Sequence, residues 1–125
     1  MGKIGKLLTI GALAGCIIGG NALAATSSTT ISNTQTSAAG SPISVSLGNS
    51  TSLYGTSNSS STNNVYIQKI RQVTGPDDVT HEYKIGPGKS DVQSTVTATT
   101  DSFYVGMNPE GALSKGVNGN ASLVK

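Results

Sequence analysis

The chain has 125 residues, 8 Lys and Arg against 6 Asp and Glu, and a formal net charge of +2. That excess is Lys3 and Lys6 alone. From residue 25 onward Lys69, Arg71, Lys84, Lys89, Lys115 and Lys125 balance Asp77, Asp78, Glu82, Asp91, Asp101 and Glu110. A basic face for nucleic acid is therefore excluded from the expectations, and the single cysteine, Cys16, excludes an intramolecular disulfide.

In chain order, the first element reads as an export signal. Met1 to Lys6 carry two positive charges, Leu7 to Ile18 (LLTIGALAGCII) are apolar or small apart from Thr9, and Gly19-Gly20 interrupts the run. Ala22-Leu23-Ala24 then offers small residues where a signal peptidase reads, so cleavage is expected between Ala24 and Ala25. Leu13-Ala14-Gly15-Cys16 also resembles the lipobox of bacterial lipoproteins. That resemblance implies cleavage before Cys16 and lipidation of its thiol and new amino group. Against it, Ile17-Ile18 would follow the lipidated cysteine where a polar tether is usual. A third reading keeps the segment uncleaved as a membrane helix packed through Gly11, Gly15 and Gly19, although the apolar run is shorter than the ~20 residues that span a bilayer.

Residues 25–64 hold no charge, and Ser, Thr, Asn and Gln fill 27 of these 40 positions. A stretch this polar is expected to bury too little apolar surface to offset chain entropy and to be a largely disordered or extended spacer. One island, Ile43-Ser44-Val45-Ser46-Leu47, alternates at the period of a half-buried strand and suggests an edge pairing with the C-terminal part.

From Val65 β-branched residues predominate. Residues 65–73 read as a strand, although the spacing Ile67, Ile70, Val73 also suits a helix. With 79–85 as a second strand and the turn Thr74-Gly75-Pro76-Asp77-Asp78 between them, a hairpin is predicted. In the second strand Val79, His81, Tyr83 and Ile85 are expected on one face, with Thr80, Glu82 and Lys84 on the other. Gly86-Pro87-Gly88 ends it, and 92–100 and 102–107 are two further strand candidates. The predicted architecture is mainly β: a small antiparallel sheet of about four or five strands across 65–107, preceded by the disordered Ser/Thr/Asn-rich segment and followed by a Gly- and Asn-rich tail, 108–125.

No set of groups for catalysis assembles in this reading. His81 is the single histidine, and general-base work needs a positioned partner and a nucleophile. Asp77-Asp78 is expected in a turn, and the successive residues His81 and Glu82 on opposite faces of their strand, so the four are not expected to converge on a metal. Gly88-Lys89-Ser90 resembles the end of a phosphate loop, but Tyr83 stands where the first glycine is required. No catalytic, cofactor-binding or metal residue is expected.

Without a disulfide or a Trp, and with one Phe and four Tyr, so small a domain has a thin core. A protein partner or self-association is therefore expected, and membrane contact only if Cys16 is lipidated or the N-terminal segment stays uncleaved. The functional expectation is an exported bacterial protein, not an enzyme, placed outside the cell, on its surface or in the periplasm, with a structural, adhesive or partner-binding role. The alternative is a small envelope lipoprotein anchored through Cys16, serving as an accessory subunit of an envelope assembly.

Overall fold

Alternation of buried and exposed residues runs through almost every strand of residues 25–125, the part that the computed structural model describes. The N-terminal segment with Cys16, Ala22 and Ala24, on which the export and lipidation readings rest, lies outside the described residues. Ala25, the first described residue, accepts the Lys125 main-chain N–H at 3.0 Å.

The strands are β1 (Thr26–Ile31), β2 (Ala38–Ala39), β3 (Ile43–Val45), β4 (Ser50–Ser57), β5 (Val65–Arg71), β6 (Asp78–Ile85), β7 (Ser90–Val96), β8 (Asp101–Pro109) and β9 (Gly119–Val124). Among the described residues there is no helix. All pairings are antiparallel and form two sheets. The first has the order β1-β9-β4-β7; the second has β2-β8-β5-β6, with β3 also on β8. The mainly β, antiparallel expectation is met, and so is the hairpin, as β5 with β6. The island at 43–47 is strand over Ile43–Val45 and pairs with β8 in the C-terminal part.

The difference lies in residues 25–64 and 108–125. They are not a spacer and a tail: β1, β4 and β9 form three of the four strands of the first sheet. The physical reason is a division of bulk between the sheets. Inward positions of the first sheet are small or hydroxylic, including Ser27, Thr51, Gly55, Ser57, Gly119 and Ala121, with Ile31, Leu53 and Leu123 among them. The second sheet fills the space between with Val65, Ile67, Tyr83, Ile85, Phe103, Val105 and Met107. A strand facing such a surface buries much without large side chains of its own.

Apart from Thr51 Oγ1, which is buried without a partner, the buried hydroxyls of this sheet are paired, which offsets the cost of taking them out of water. Ser27 Oγ accepts the Val105 N–H at 3.1 Å, and Ser57 Oγ donates to Ser61 Oγ at 2.9 Å. Ser61 in turn accepts the Asn118 N–H at 2.9 Å. The polar run 58–64 is fixed the same way. Asn63 Nδ2 donates to the carbonyls of Glu110 (3.0 Å) and Lys115 (3.1 Å), and Asn64 Nδ2 donates to Glu110 Oε1 (2.8 Å).

One sequence expectation fails within β6. Tyr83 and Ile85 are buried and His81 half-buried, but Val79 is 42% exposed. The β5–β6 register shifts between Lys69 and Ile70, so His81 pairs with Lys69 and Val79 with Ile70, leaving Thr80 as the extra residue. A β-bulge turns the side chains before it to the opposite face.

The close approach of the paired strands β9 and β4 within the first sheet makes a direct prediction. A Cβ at Gly119 would run into the main-chain oxygen of Thr56 on the neighbouring β4, and main chain yields less readily than a side-chain tip. Gly119→Ala should lower unfolding stability in a urea titration by about 2 kcal/mol or more. Ser122→Ala, on the outward face of the same strand, should stay within about 0.5 kcal/mol.

Candidate functional site: an inverted edge strand

β7 is held to the sandwich in an unusual manner. Its register on β4 pairs Gly55 with Asp91, Leu53 with Gln93 and Thr51 with Thr95. Since Thr51, Leu53 and Gly55 are buried, the polar residues Asp91, Gln93 and Thr95 take the inward side. Ser90, Val92, Ser94 and Val96 take the outward side, and Val92 and Val96 are 48% and 66% exposed. The strand carries both its valines to solvent and turns Asp91, itself exposed, and the half-buried Gln93 and Thr95 toward the second sheet.

The inward side attaches to the second sheet through a ladder of polar contacts. Tyr83 places its hydroxyl 2.7 Å from Leu53 O and 3.0 Å from Asp91 O, so one proton serves two carbonyls. Burial, and then the Asp91 charge, push the Tyr83 phenol well above the usual tyrosine range. His81 Nε2 lies 2.7 Å from Gln93 Oε1. Lys69 Nζ donates to Thr95 Oγ1 and Thr97 Oγ1, each at 3.2 Å. Arg71 Nη1 reaches Thr99 Oγ1 at 3.5 Å while Nη2 pairs with Asp78 Oδ2 at 3.3 Å.

Lys69 is the residue the sequence reading passed over. It is 3% exposed, and among the described residues no carboxylate forms an ion pair with it. Its ammonium lies 4.9 Å from the centre of the Phe103 ring, a cation–π contact that offsets part of the lost hydration. Desolvation lowers its pKa from the ordinary lysine value. The available signal was position: Lys69 continues the inward series Val65, Ile67 at spacing two.

The residues considered for metal or base chemistry go to separate structural tasks. Asp77 accepts the Tyr104 hydroxyl at 2.6 Å and the Val73 N–H at 3.1 Å. These two hydrogen bonds hold the Asp77 carboxyl below its usual range, and the bond to Asp77 pushes the Tyr104 phenol up to about 12. Asp78 is with Arg71, His81 with Gln93, and Glu82 Oε2 accepts from Gln68 Nε2 at 3.4 Å. The structure does not bring the four together. Gly86–Lys89 is a turn in which the Gly88 N–H donates to Asn58 O at 3.1 Å.

The outward face of the first sheet carries no charge. It consists of Thr26, Ser28 and Thr30 on β1, Asn120, Ser122 and Val124 on β9, Ser50, Ser52, Tyr54 and Thr56 on β4, and the β7 residues named above. Tyr54, 48% exposed, pairs with Val92. With Thr56 and Ser90 they border a shallow depression of about 350 Å³ floored by Gly55 and Asp91.

The four sheet edges differ. At β1, Ser28 main-chain atoms press against Gly40, where a Cβ would not fit. β2 and β3 are short and separate. β6 is bulged and carries Asp78, Glu82 and Lys84. These are protections that edges commonly show. β7 has no bulge, Pro or Lys, and among the described residues no strand pairs with its outer side. Thr97 N–H donates to Asn49 O (2.8 Å) and Thr97 O accepts from Gly48 N–H (2.9 Å), both on the β4 side. By alternation, Val92, Ser94 and Val96 direct their main-chain groups away from β4. In keeping with this, the Val92 N–H donates to Asp91 Oδ1 at 2.8 Å.

The described residues thus form a nine-stranded, two-sheet antiparallel sandwich with one neutral face and one edge that no other described strand covers. Compared with known proteins, it matches no family model, no curated protein and no solved structure.

The Lys69 ladder predicts a pH dependence. The folded-state pKa is lowered, so between it and the unfolded value of 10.5 the unfolded chain binds more protons, and stability rises with pH in that window. The tyrosines with raised pKa act oppositely, but only near and above pH 10. Denaturant titrations from pH 7 to 9.5 should show the rise in wild type and lose it in Lys69→Met. At pH 7 the variant should lie within about 1 kcal/mol of wild type, because relief of a desolvated charge opposes loss of two hydrogen bonds to it.

Proposed function

We propose that the protein is an exported, non-enzymatic binding protein of bacterial origin with a structural or adhesive role outside the cytoplasm. Its working surface is the neutral outer face of the first sheet together with the β7 edge. The observation that carries this reading is the inversion of β7. Scattered surface valines are ordinary, but a strand that sends Asp91, Gln93 and Thr95 inward while Val92 and Val96 face solvent is patterned against folding alone. The absence of charge on that face suits a partner without strong charge, because no ion has to be stripped of water on contact.

Export is supported by the sequence from Lys3 to Ala24, and the tethered alternative by Leu13-Ala14-Gly15-Cys16. The intact mass of the protein recovered from its producing cells separates them. A chain beginning at Ala25 outside the cytoplasm is the expected result, and an acylated chain beginning at Cys16 would establish the lipoprotein. A cytoplasmic chain that keeps residues 1–24 would overturn both. Binding is tested with Tyr54→Lys, which places one charge in the neutral face. Retention on the cell envelope or matrix should fall about tenfold with the melting midpoint unchanged; equal retention would remove this face from the function.

A further inference from the structure

We propose that the β7 edge pairs with β7 of a second copy of this chain, antiparallel and centred on Ser94, joining two first sheets into one eight-stranded sheet. The inference rests on the binding reading above and names its partner.

Two features of the edge specify a strand as the ligand. Val92, Ser94 and Val96 direct main-chain N–H and C=O groups outward, and a strand satisfies such a row with complementary groups at the same spacing. The outward side chains alternate Val-Ser-Val about Ser94. Antiparallel pairing about a two-fold axis at Ser94 sets each Ser94 opposite its equivalent. It also sets Val92 of each copy opposite Val96 of the other. Two apolar cross-strand pairs form from residues that are 48% and 66% exposed in the single chain, and such pairs stabilise sheets. About six main-chain hydrogen bonds form across the seam, for which the Val92 N–H exchanges Asp91 Oδ1 for a carbonyl of the second copy.

Charge also favours this partner. In the same register Gln93 falls opposite Thr95 and Asp91 opposite Thr97, so no like charges meet along the seam. Beneath it, His81 lies against Gln93, which places the axis near residues 80 and 81 of β6. The two β6 strands then approach with the Asp78 end of one toward the Lys84 end of the other. A two-fold contact between identical patches is also the commonest way for a chain to associate with itself.

The experiment is sedimentation velocity of the exported protein over a concentration series, with three variants. Wild type should reach the dimer by roughly 100 µM, the weak range for an interface of this size. Val96→Lys should weaken association at least tenfold with an unchanged melting midpoint. Ser94→Pro removes an outward N–H without touching the β4 ladder and should do the same. Ser94→Cys should oxidise to a covalent dimer, because paired residues at the centre lie within disulfide reach. Peptide mass should place the link between the two copies of residue 94, and Ser50→Cys should give no such dimer.

A wild-type monomer at the highest concentration, or a dimer indifferent to Val96→Lys and Ser94→Pro, would overturn self-pairing. A dimer sensitive to both but not linked through Ser94→Cys would overturn the register. If the protein is exported and Tyr54→Lys releases it while wild type stays monomeric, self-pairing fails and the binding reading stands. A chain kept in the cytoplasm ends the binding reading whatever its sedimentation.

Discussion

The structure depends on how closely the two sheets approach. Gly55 lies beneath Ile67 and near the Tyr83 hydroxyl, so a Cβ there would meet side chains of the opposing sheet. Where one sheet presents glycine, alanine and serine, the other must supply the volume, and Ile67, Tyr83, Phe103 and Met107 do so. Interiors are packed to crystal-like density, so neither surface works without the other. Tyr83 shows the coupling best. Its ring belongs to the core, and its hydroxyl lies near Gly55 and reaches across to Leu53 and Asp91 on β4 and β7. One side chain packs the centre and also fixes an edge.

That division of labour explains which parts of the fold were legible in the sequence. β5 and β6 carry their own apolar alternation and a turn with Gly75, Pro76 and Asp77, so their pairing needs no outside information. Strict alternation places Val79 on the inward face, and it lies outward because of a bulge that leaves no mark in composition; Thr80 resembles any other strand threonine. β1, β4 and β9 were hidden for a different reason. Their inward residues are small because the opposing surface is large, and that surface lies tens of residues away in sequence. A rule that weighs local apolar content reads such strands as disorder. The signal that was present, strict alternation in Ile43-Ser44-Val45, also runs faintly through Thr51, Leu53 and Gly55.

Polar contacts between the sheets carry more weight here than is usual in a sandwich. β7 contributes no large apolar side chain to the core; it is secured through Tyr83, His81, Lys69 and Arg71. Each such contact gives only about 1 kcal/mol net, but each also fixes a position along the strand. Apolar alternation alone distinguishes the two faces but not a slip of two residues, whereas directional bonds at 91, 93, 95 and 97 also set the register. The cation at Lys69 raises the cost of any slip, because moving Thr95 or Thr97 away leaves a buried ammonium without its acceptors. The inner side of β7 is therefore built for positional definition.

The outer side makes sense of that definition. Turning Val92 and Val96 to solvent forgoes roughly 1 kcal/mol each of burial, and no contact among the described residues recovers it. The other edges are crowded, short or charged. The edge that lacks these protections is also the one with its apolar residues outward and its register fixed from within. Any one of these features on a small sandwich would be unremarkable. Their coincidence on seven residues, beside a four-stranded face without charge, describes a surface kept flat, neutral and correctly spaced for another strand. A strand whose inward groups specify its position, and whose outward main-chain groups meet no other strand among the described residues, has the form of half an interface.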